Sequence, residues 1–497
     1  MSAIATAVRR DIVKTLIVLS ATALSLGAFQ ASTTTAETWH ILSDGTGHAP
    51  TIQAGLDMCA VGDTVLVAPG VYDENLVWPA VDGITLRSES GTEATVVDGG
   101  GIGRVITITT GVGESTRIDG FTIRNGLASS AGGIYCALDS SPTISNNLIT
   151  DNKGTINAGG IGCTNDSSPI IINNTITMNT AADGVGGGIG GSINCSPVID
   201  GNTITGNTAA SAGGGIILWS QCGGRITGNT IADNVSGSAG GGISCNVDAS
   251  VRIVGNTITG NSAVTRGGGI DCSHRDSSYI YCNTIKGNTA TLGAGICCRD
   301  EAETVITYCD IVGNHGSGVY CTRGPGQSAN PIIIYNNIVN NAGDGVLNSD
   351  AAVTIAAANN WWGDPSGPSG AGPGSGDEVS DYVDYDPWAA GPFPLSTDAG
   401  PPVPPVRFVL LQNYPNPFNP HTTIPFSVDK PQRVKLSMYD VTGNRLMVLV
   451  DQMYETGSHT TEWSGQDELG RAVSSGLYLV RMQTAGRIES RKIMLVR

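Results

Sequence analysis

The chain has 497 residues, 69 of them glycine, with 5% aromatic residues and a formal net charge of −17 from 26 basic and 43 acidic side chains. So acidic a surface excludes nucleic acid as a natural partner. An apolar content of 40%, arranged with a strict period, excludes disorder as the reason for the glycine.

Arg9, Arg10 and Lys14 precede an apolar run from Leu16 to Phe29, followed by small residues. That order predicts a secretory signal peptide over 1–36, cut near Ala31 or Ala36. The run is too short and too rich in Ala and Ser for a membrane span, and no other stretch approaches that length, so no transmembrane segment is expected in the mature chain. From Thr51 to Ala60, Ile52, Leu56 and Cys59 share one helical face. A short amphipathic helix there would cover an open strand edge. Strands are predicted at 64–67, 75–78, 84–87, 95–97, 105–109 and 121–124.

From Gly132 to Asn341 the sequence repeats. Ile149, Ile176, Ile204, Ile231, Ile258, Ile285, Ile311 and Ile338 recur at steps of 27, 28, 27, 27, 27, 26 and 27. Each is followed three residues later by asparagine: Asn152, Asn179, Asn207, Asn234, Asn261, Asn288, Asn314 and Asn341. A second asparagine column precedes the isoleucines and is read as Asn147, Asn174, Asn202, Asn229, Asn256, Asn283 and Asn337, with Cys309 in the remaining copy. Each copy holds three short apolar pieces, none long enough for a helix, separated by Gly, Asn, Ser or Pro. Three strands and three bends per copy make one coil, and stacked coils make a right-handed parallel β-helix with about 27 residues per coil. Asparagine at a corner tolerates left-handed backbone, and stacked amides can bond one another up the solenoid. The glycine runs at 186–188, 213–215, 240–242 and 267–269 mark another corner, where positive φ or close coil approach excludes a Cβ.

Twelve cysteines in an exported chain suggest disulfides, but the period argues otherwise. Cys136, Cys163, Cys245, Cys272, Cys298 and Cys321 share one inward position, with Gly191 and Leu218 in the coils between. They read as an internal stack of small hydrophobes. Cys195 and Cys222 also match between adjacent coils, at a turn, and are the pair most suited to a bridge. No His stands near these thiols, so no metal is expected.

Residues 391–406 form a Pro/Gly-rich linker after the solenoid at 37–390. In 407–497, Val434, Leu436 and Met438 alternate with Lys435, Ser437 and Tyr439, and Asp440 to Asn444 supplies a turn. Further short strands complete a small β-sandwich.

Two family resemblances become usable on these residues. Ile52-Gln53-Ala54, Gly62-Asp63-Thr64-Val65, Pro69-Gly70-Val71-Tyr72 and Val97-Asp98-Gly99 resemble the opening of pectate-lyase-like right-handed β-helix proteins. Asn360-Trp361-Trp362-Gly363 and Tyr385-Asp386-Pro387-Trp388 look like their closing coil. The likeness, over 38–390, implies the fold; that superfamily holds lyases, hydrolases, esterases, epimerases and adhesins, so it implies no one activity. Leu411-Gln412-Asn413-Tyr414-Pro415-Asn416-Pro417-Phe418-Asn419-Pro420, Met438 to Gly443, Trp463-Ser464-Gly465 and Ser475-Gly476-Leu477-Tyr478, with Lys492 in a closing strand, resemble type IX secretion C-terminal sorting domains. The same pattern is similar to the Ig-like domain of the flagellar hook-capping protein. The sorting-domain resemblance implies delivery to the surface or medium of a Gram-negative-type bacterium, with the secretion machinery as partner through 407–497.

Catalysis on such a solenoid needs clustered carboxylates, or an arginine base with calcium-binding carboxylates, in register on neighbouring coils. The column Asp139, Asp166, Asn194, Gln221, Asp248, Arg275 and Glu301 reads as a row of turn residues. The densest group is Asp271, His274, Arg275 and Asp276, with Arg266 and Arg299 on either side and Tyr279 and Tyr281 close by in sequence. Asp271, His274, Arg275, Asp276, Tyr279 and Tyr281 are the candidate substrate-binding residues; no catalytic residue is assigned. No motif calls for a cofactor, and calcium is compatible with the sequence but has no ligand pattern. The expected function is a monomeric exported β-helix protein that binds carbohydrate or serves a structural or adhesive role. The alternative is a polysaccharide lyase or glycoside hydrolase acting on an acidic polysaccharide.

Overall fold

The computed structural model describes residues 35–395 and 409–496, the latter span without 411, 412, 414, 415, 417, 429, 430, 456 and 485. The signal segment (all but its last two residues) and the linker beyond residue 395 lie outside the described residues.

The isoleucine period becomes three stacks. Ile149, Ile176, Ile204 and their successors pair in parallel register through to Ile338. A second stack runs from Ile144 to Ile333 and a third from Ile134 to Ile296. All are fully buried. Because strand side chains alternate faces, a three-residue strand centred on Ile in the first two stacks buries that side chain, and in the third stack the leading Ile and the residue two places on both face inward. The three sheets have 14, 13 and 11 strands and wind as a right-handed parallel solenoid.

A fourth, six-stranded sheet departs from the expected three-sided coil. It is made of Leu127–Ser130, Lys153–Asn157 and two-residue pieces such as Thr208–Ala209 and Val235–Ser236. These follow the asparagine corner directly and are too short to carry a period of their own. They raise a ridge along one edge of the 13-stranded sheet.

Asparagine works at the corners differently from expectation. The left-handed residue is the one before it: Asp151, Met178, Gly206, Asp233, Gly260, Gly287 and Gly313 all have φ between 54° and 65°. The asparagine itself turns inward. Asn207 Nδ2 donates to Asn234 Oδ1 at 3.0 Å and to Ile176 O at 2.9 Å, and its backbone N–H donates to the same Asn234 Oδ1. This pattern continues from Asn152 to Asn341, where Asp377 accepts in place of a further asparagine. The second ladder runs from Asn147 through Asn283 to Cys309 and then Asn336, ending on Asn360. Asn337 is not in it. Asn337 lies opposite Asp310, one residue out of register, and bonds Asp310 and the backbone of Phe393.

Cys309 interrupts that ladder: Asn283 N–H reaches its sulfur at 3.5 Å and Asn283 Nδ2 at 3.8 Å. Cys309→Asn should restore two amide bonds in a position already shaped for asparagine. A stabilisation of about 1 kcal/mol is expected, read as a raised urea midpoint with unchanged slope.

Glycine is required where coils touch. In Gly213-Gly214-Gly215 the first has φ 66°, and a Cβ on the third would stand 2.6 Å from Gly242 O. All twelve cysteines are free and buried. Cys195 and Cys222 are unbridged; they directly follow the turn residues Asn194 and Gln221 and are buried in the core. Burial pushes the Cys136 and Cys245 thiols up, so the stack is chemically inert packing.

At the N-terminal end, helix Ile52–Met58 buries Ile52 and Leu56 over the first coil. Thr51 Oγ1 caps it by accepting from Ala54 N–H at 3.1 Å, and the Glu74 carboxylate accepts from Ile52 and Gln53 N–H. The C-terminal domain has three- and four-stranded antiparallel sheets, consistent with a small β-sandwich. Val434, Leu436 and Met438 are fully buried, among Phe426, Trp463 and Val480. Ser437 is also buried, because a register shift at Leu436/Ser437 breaks the alternation.

Candidate functional site

Between the ridge and the outer face of the 13-stranded sheet lies a groove. Its floor is the column one residue after each inward isoleucine: Tyr135, Gly162, Gly190, Ile217, Ser244, Asp271 and Cys297, each paired with the next. Its far wall is the column two residues further: Thr164, Ser192, Trp219, Asn246, Ser273 and Arg299.

The groove deepens where two successive floor positions are glycine. Gly162 and Gly190 leave a cavity of about 330 Å³ lined by Tyr135, Ala158, Thr164, Val185, Ile217 and Trp219, among others. Neither glycine has positive φ, so what they supply here is space rather than backbone freedom. Three coil steps separate Tyr135 from Ile217, about 14 Å at the usual strand spacing. Arg104 holds the Tyr135 ring: its guanidinium carbon lies 4.2 Å from the ring centroid, and its nitrogens bond Ser130 and Ala131 carbonyls. At the other end Trp219 packs with Ile217, Ala212 and Ala239. Ser192 Oγ donates to Thr164 Oγ1 at 3.1 Å on the wall between. The cavity lining carries no Asp, Glu, His, Lys or Arg.

The residues singled out in the sequence do not form one patch. Asp276 points into the core, fully buried, and accepts from Ser278 N–H and Oγ and from Thr304 Oγ1. It stands in the same inward column as Cys222 and Ala249, so it cannot meet a substrate. Asp271 does face the groove but is fully buried, bonded by Arg266 Nε at 2.9 Å and by Ser273 Oγ. Burial pushes its carboxyl up, against the pull of Arg266 and Arg299. Arg275 forms an exposed two-point ion pair with Asp248, and His274 Nε2 lies 3.1 Å from Asp300. Arg275 and its column mates Asp139, Asp166, Asn194, Gln221, Asp248 and Glu301 all have φ between 59° and 65°, the backbone of a turn row. Tyr279 and Tyr281 lie on the 14-stranded sheet, their rings stacked at 6.0 Å, with Arg252 over Tyr279. Among the described residues no three His, Cys, Asp or Glu side chains converge as a metal site requires.

The buried Asp276 carboxyl gives a pH signature. Desolvation raises it to about 6 from its ordinary 3.8. Between those values the folded chain holds a proton that the unfolded chain has lost, so stability falls as pH rises through the window. A displacement of that size corresponds to roughly 3 kcal/mol. The difference in unfolding free energy between wild type and Asp276→Asn should therefore change between pH 4 and 7, at the expense of wild type. A pH-independent difference would refute the assignment.

The sequence motifs do not single out Gly162 and Gly190. The signal was present: a floor column in which two adjacent coils carry glycine between Tyr and Ile.

Fold and groove together define a right-handed parallel β-helix with a groove along one face, whose cavity between Tyr135 and Trp219 is lined by uncharged residues. The family described as right handed beta helix region matches residues 105–285 and 266–367, more than half of the chain, and the chain belongs to that family. A secretion system C-terminal sorting domain matches residues 412–496, so the protein is secreted or displayed at the cell surface of a bacterium with type IX secretion. No curated protein matches the chain. Among solved structures it is similar to a mutant of the periplasmic alginate epimerase AlgG, at 13% identity over 56% of this chain and 67% of that one, with a TM-score of 0.36. It is likewise similar to the A-module of the Azotobacter vinelandii mannuronan C-5 epimerase AlgE6, at 15% identity over 68% and 94%, TM-score 0.36. A third similar structure is XylC in complex with xylose, at 11% identity over 92% and 100%, TM-score 0.37. No helix among the described residues is long and apolar enough to cross a membrane.

Proposed function

We propose that this exported β-helix protein binds carbohydrate in the groove between Tyr135 and Trp219, attaching the mature solenoid (37–390) to a polysaccharide. The observation that carries this is the glycine-floored trough with an aromatic residue at each end. Sugar rings present apolar C–H faces that pack on aromatic rings, while their hydroxyls need a few placed polar groups. Thr164 and Ser192 supply such groups on the wall. The strand spacing of about 4.8 Å is close to the repeat of a pyranose chain, so successive coils can meet successive sugar units. A lining without Asp, Glu, His, Lys or Arg supports binding over turnover, since acid–base catalysis most often uses a carboxylate or histidine within reach of the reacting atoms.

The test is calorimetric titration of the full chain with soluble oligosaccharides, wild type against Trp219→Ala and Gly190→Ile, with reducing ends and unsaturated products followed in parallel. Saccharide binding lost in both variants supports the proposal. Binding unaffected by either, or turnover retained in both, would move the site elsewhere.

A further inference from the structure

Seven buried side-chain polar atoms have no hydrogen-bond partner among the described residues, and four of them fall on three consecutive coils of the groove. They are Ser244 Oγ, Asn246 Oδ1, His274 Nδ1 and Arg299 Nε. Ser244 pairs in register with Asp271 on the floor, and Asn246 pairs through Ser273 with Arg299 on the wall. Asn246 itself follows Trp219 by one coil in the same column. The cluster therefore continues the floor and wall columns past Trp219, beyond the residues that line the cavity. Native interiors leave few polar groups unpaired, and four together mark a place where something other than protein supplies the partners.

The chemistry of the four selects that partner. His274 Nε2 lies 3.1 Å from Asp300 Oδ2, so in the neutral ring the proton sits on Nε2 and Nδ1 is an acceptor. Asn246 Oδ1 is a second acceptor, Arg299 Nε a donor, and the Ser244 hydroxyl serves as either. A carboxylate ligand offers only acceptors. It would leave Asn246 and His274 unpaired and would face the acidic side chains of Asp271 and Asp300. Saccharide hydroxyls donate and accept at once, so several of them along a sugar chain can match both kinds of group. Asn246, His274 and Arg299 are half-buried and Ser244 is fully buried, and the four unpaired atoms are themselves covered.

We infer that Ser244, Asn246, His274 and Arg299 form a second subsite of the same groove, selecting the hydroxyls of a neutral saccharide over the carboxylates of a polyuronate. The inference rests on glycan binding at Tyr135 and Trp219. It predicts a ligand long enough to span both subsites, with a neutral sugar beyond the tryptophan.

The experiment titrates the full chain with neutral disaccharides and hexasaccharides (xylo-, cello- and manno-series) and with di- and hexagalacturonate, for wild type and the double variant Ser244→Ala, Asn246→Leu. Wild type should bind a neutral hexasaccharide at least tenfold tighter than hexagalacturonate. The double variant should lose at least tenfold for the hexasaccharide and nothing for the disaccharide, while its melting temperature is unchanged or higher, because two unpaired buried groups have been removed. Should the double variant not fold, Ser244→Ala alone should lose about threefold. Tighter binding of hexagalacturonate would overturn the neutral subsite and leave the groove standing as a glycan site. Equal hexasaccharide affinity in variant and wild type would show that the four groups hold water only. Silence of wild type toward every saccharide would overturn this inference and the proposed function together.

Discussion

Asn234→Ala is expected to destabilise the solenoid by about 3–5 kcal/mol, more than a typical surface or core-edge substitution. Asn234 is fully buried and makes four amide bonds. Its Oδ1 accepts from Asn207 N–H and Nδ2, and its Nδ2 donates to Asn261 Oδ1 and Ile204 O, all between 2.9 and 3.0 Å. Removing the side chain strands the Asn207 N–H and takes a donor from the Ile204 carbonyl, in an interior where no water replaces them. Each such group costs about 1–3 kcal/mol when left unpaired. Because coils contact only their neighbours, the loss weakens the interfaces on both sides of that coil. Asn234→Asp separates the amide's two roles. The aspartate keeps an acceptor for Asn207 but turns its second oxygen against Asn261 Oδ1 and Ile204 O. Its folded-state pKa would be raised by burial and by that acceptor contact. The variant should therefore be the less stable of the two at pH 7, and should recover as pH falls toward the unfolded carboxylate value near ~3.9. Denaturant melts at pH 4.5 and 7 check both statements; equal stability of wild type and Asn234→Ala would remove the ladder as a source of cohesion.

Most of the fold was legible because a solenoid writes its geometry into its period. The spacing of Ile149, Ile176 and Ile204 is the coil length itself, and a column in sequence becomes a stack in space with no further folding rule. The cysteine column emerged in the same way, with Gly191 and Leu218 in their predicted places. What was misread lies where the period shifts or where direction matters. Asn337 seemed a ladder residue because two asparagines adjoin, and only strand register separates it from Asn336. The ridge escaped notice because two-residue strands have no periodicity. Asp271, His274, Arg275 and Asp276 are near neighbours in sequence but fall on a strand and a left-handed turn. Asp271 consequently faces the ridge, Arg275 the solvent and Asp276 the core. Proximity along the chain says little about shared surface in this architecture. Proximity between coils, at steps near 27 residues, says nearly everything.

That logic also explains why the groove can be built cheaply at any point along the solenoid. Inward positions are locked by isoleucine stacks and asparagine ladders, whereas the floor column carries Tyr, Gly, Gly, Ile, Ser, Asp and Cys in successive coils. The scaffold tolerates that variety because a floor side chain touches only the ridge and its two neighbours. Specificity is therefore composed one coil at a time, and substitutions on the floor should separate binding from stability.

Gly190→Ile puts that separation to the test. Ile217 occupies the same column one coil on, fully paired in register with Gly190, so an isoleucine has a precedent in the adjacent rung. Its Cβ would stand 3.2 Å from the Ala158 Cβ, a contact that a small shift of the ridge relieves. The side chain would then fill the trough between Tyr135 and Trp219. A loss of saccharide affinity of a hundredfold or more is expected, about 3 kcal/mol, with a small change in melting temperature. Trp219→Ala removes one aromatic platform and leaves the trough open. Its expected cost is about 2 kcal/mol, the usual scale of a central aromatic anchor, or some thirtyfold in Kd. The order of the two effects discriminates between mechanisms. If the trough holds the sugar, filling it must hurt more than trimming its wall. If Trp219 acts alone as an exposed platform, its loss abolishes binding and Gly190→Ile leaves it intact.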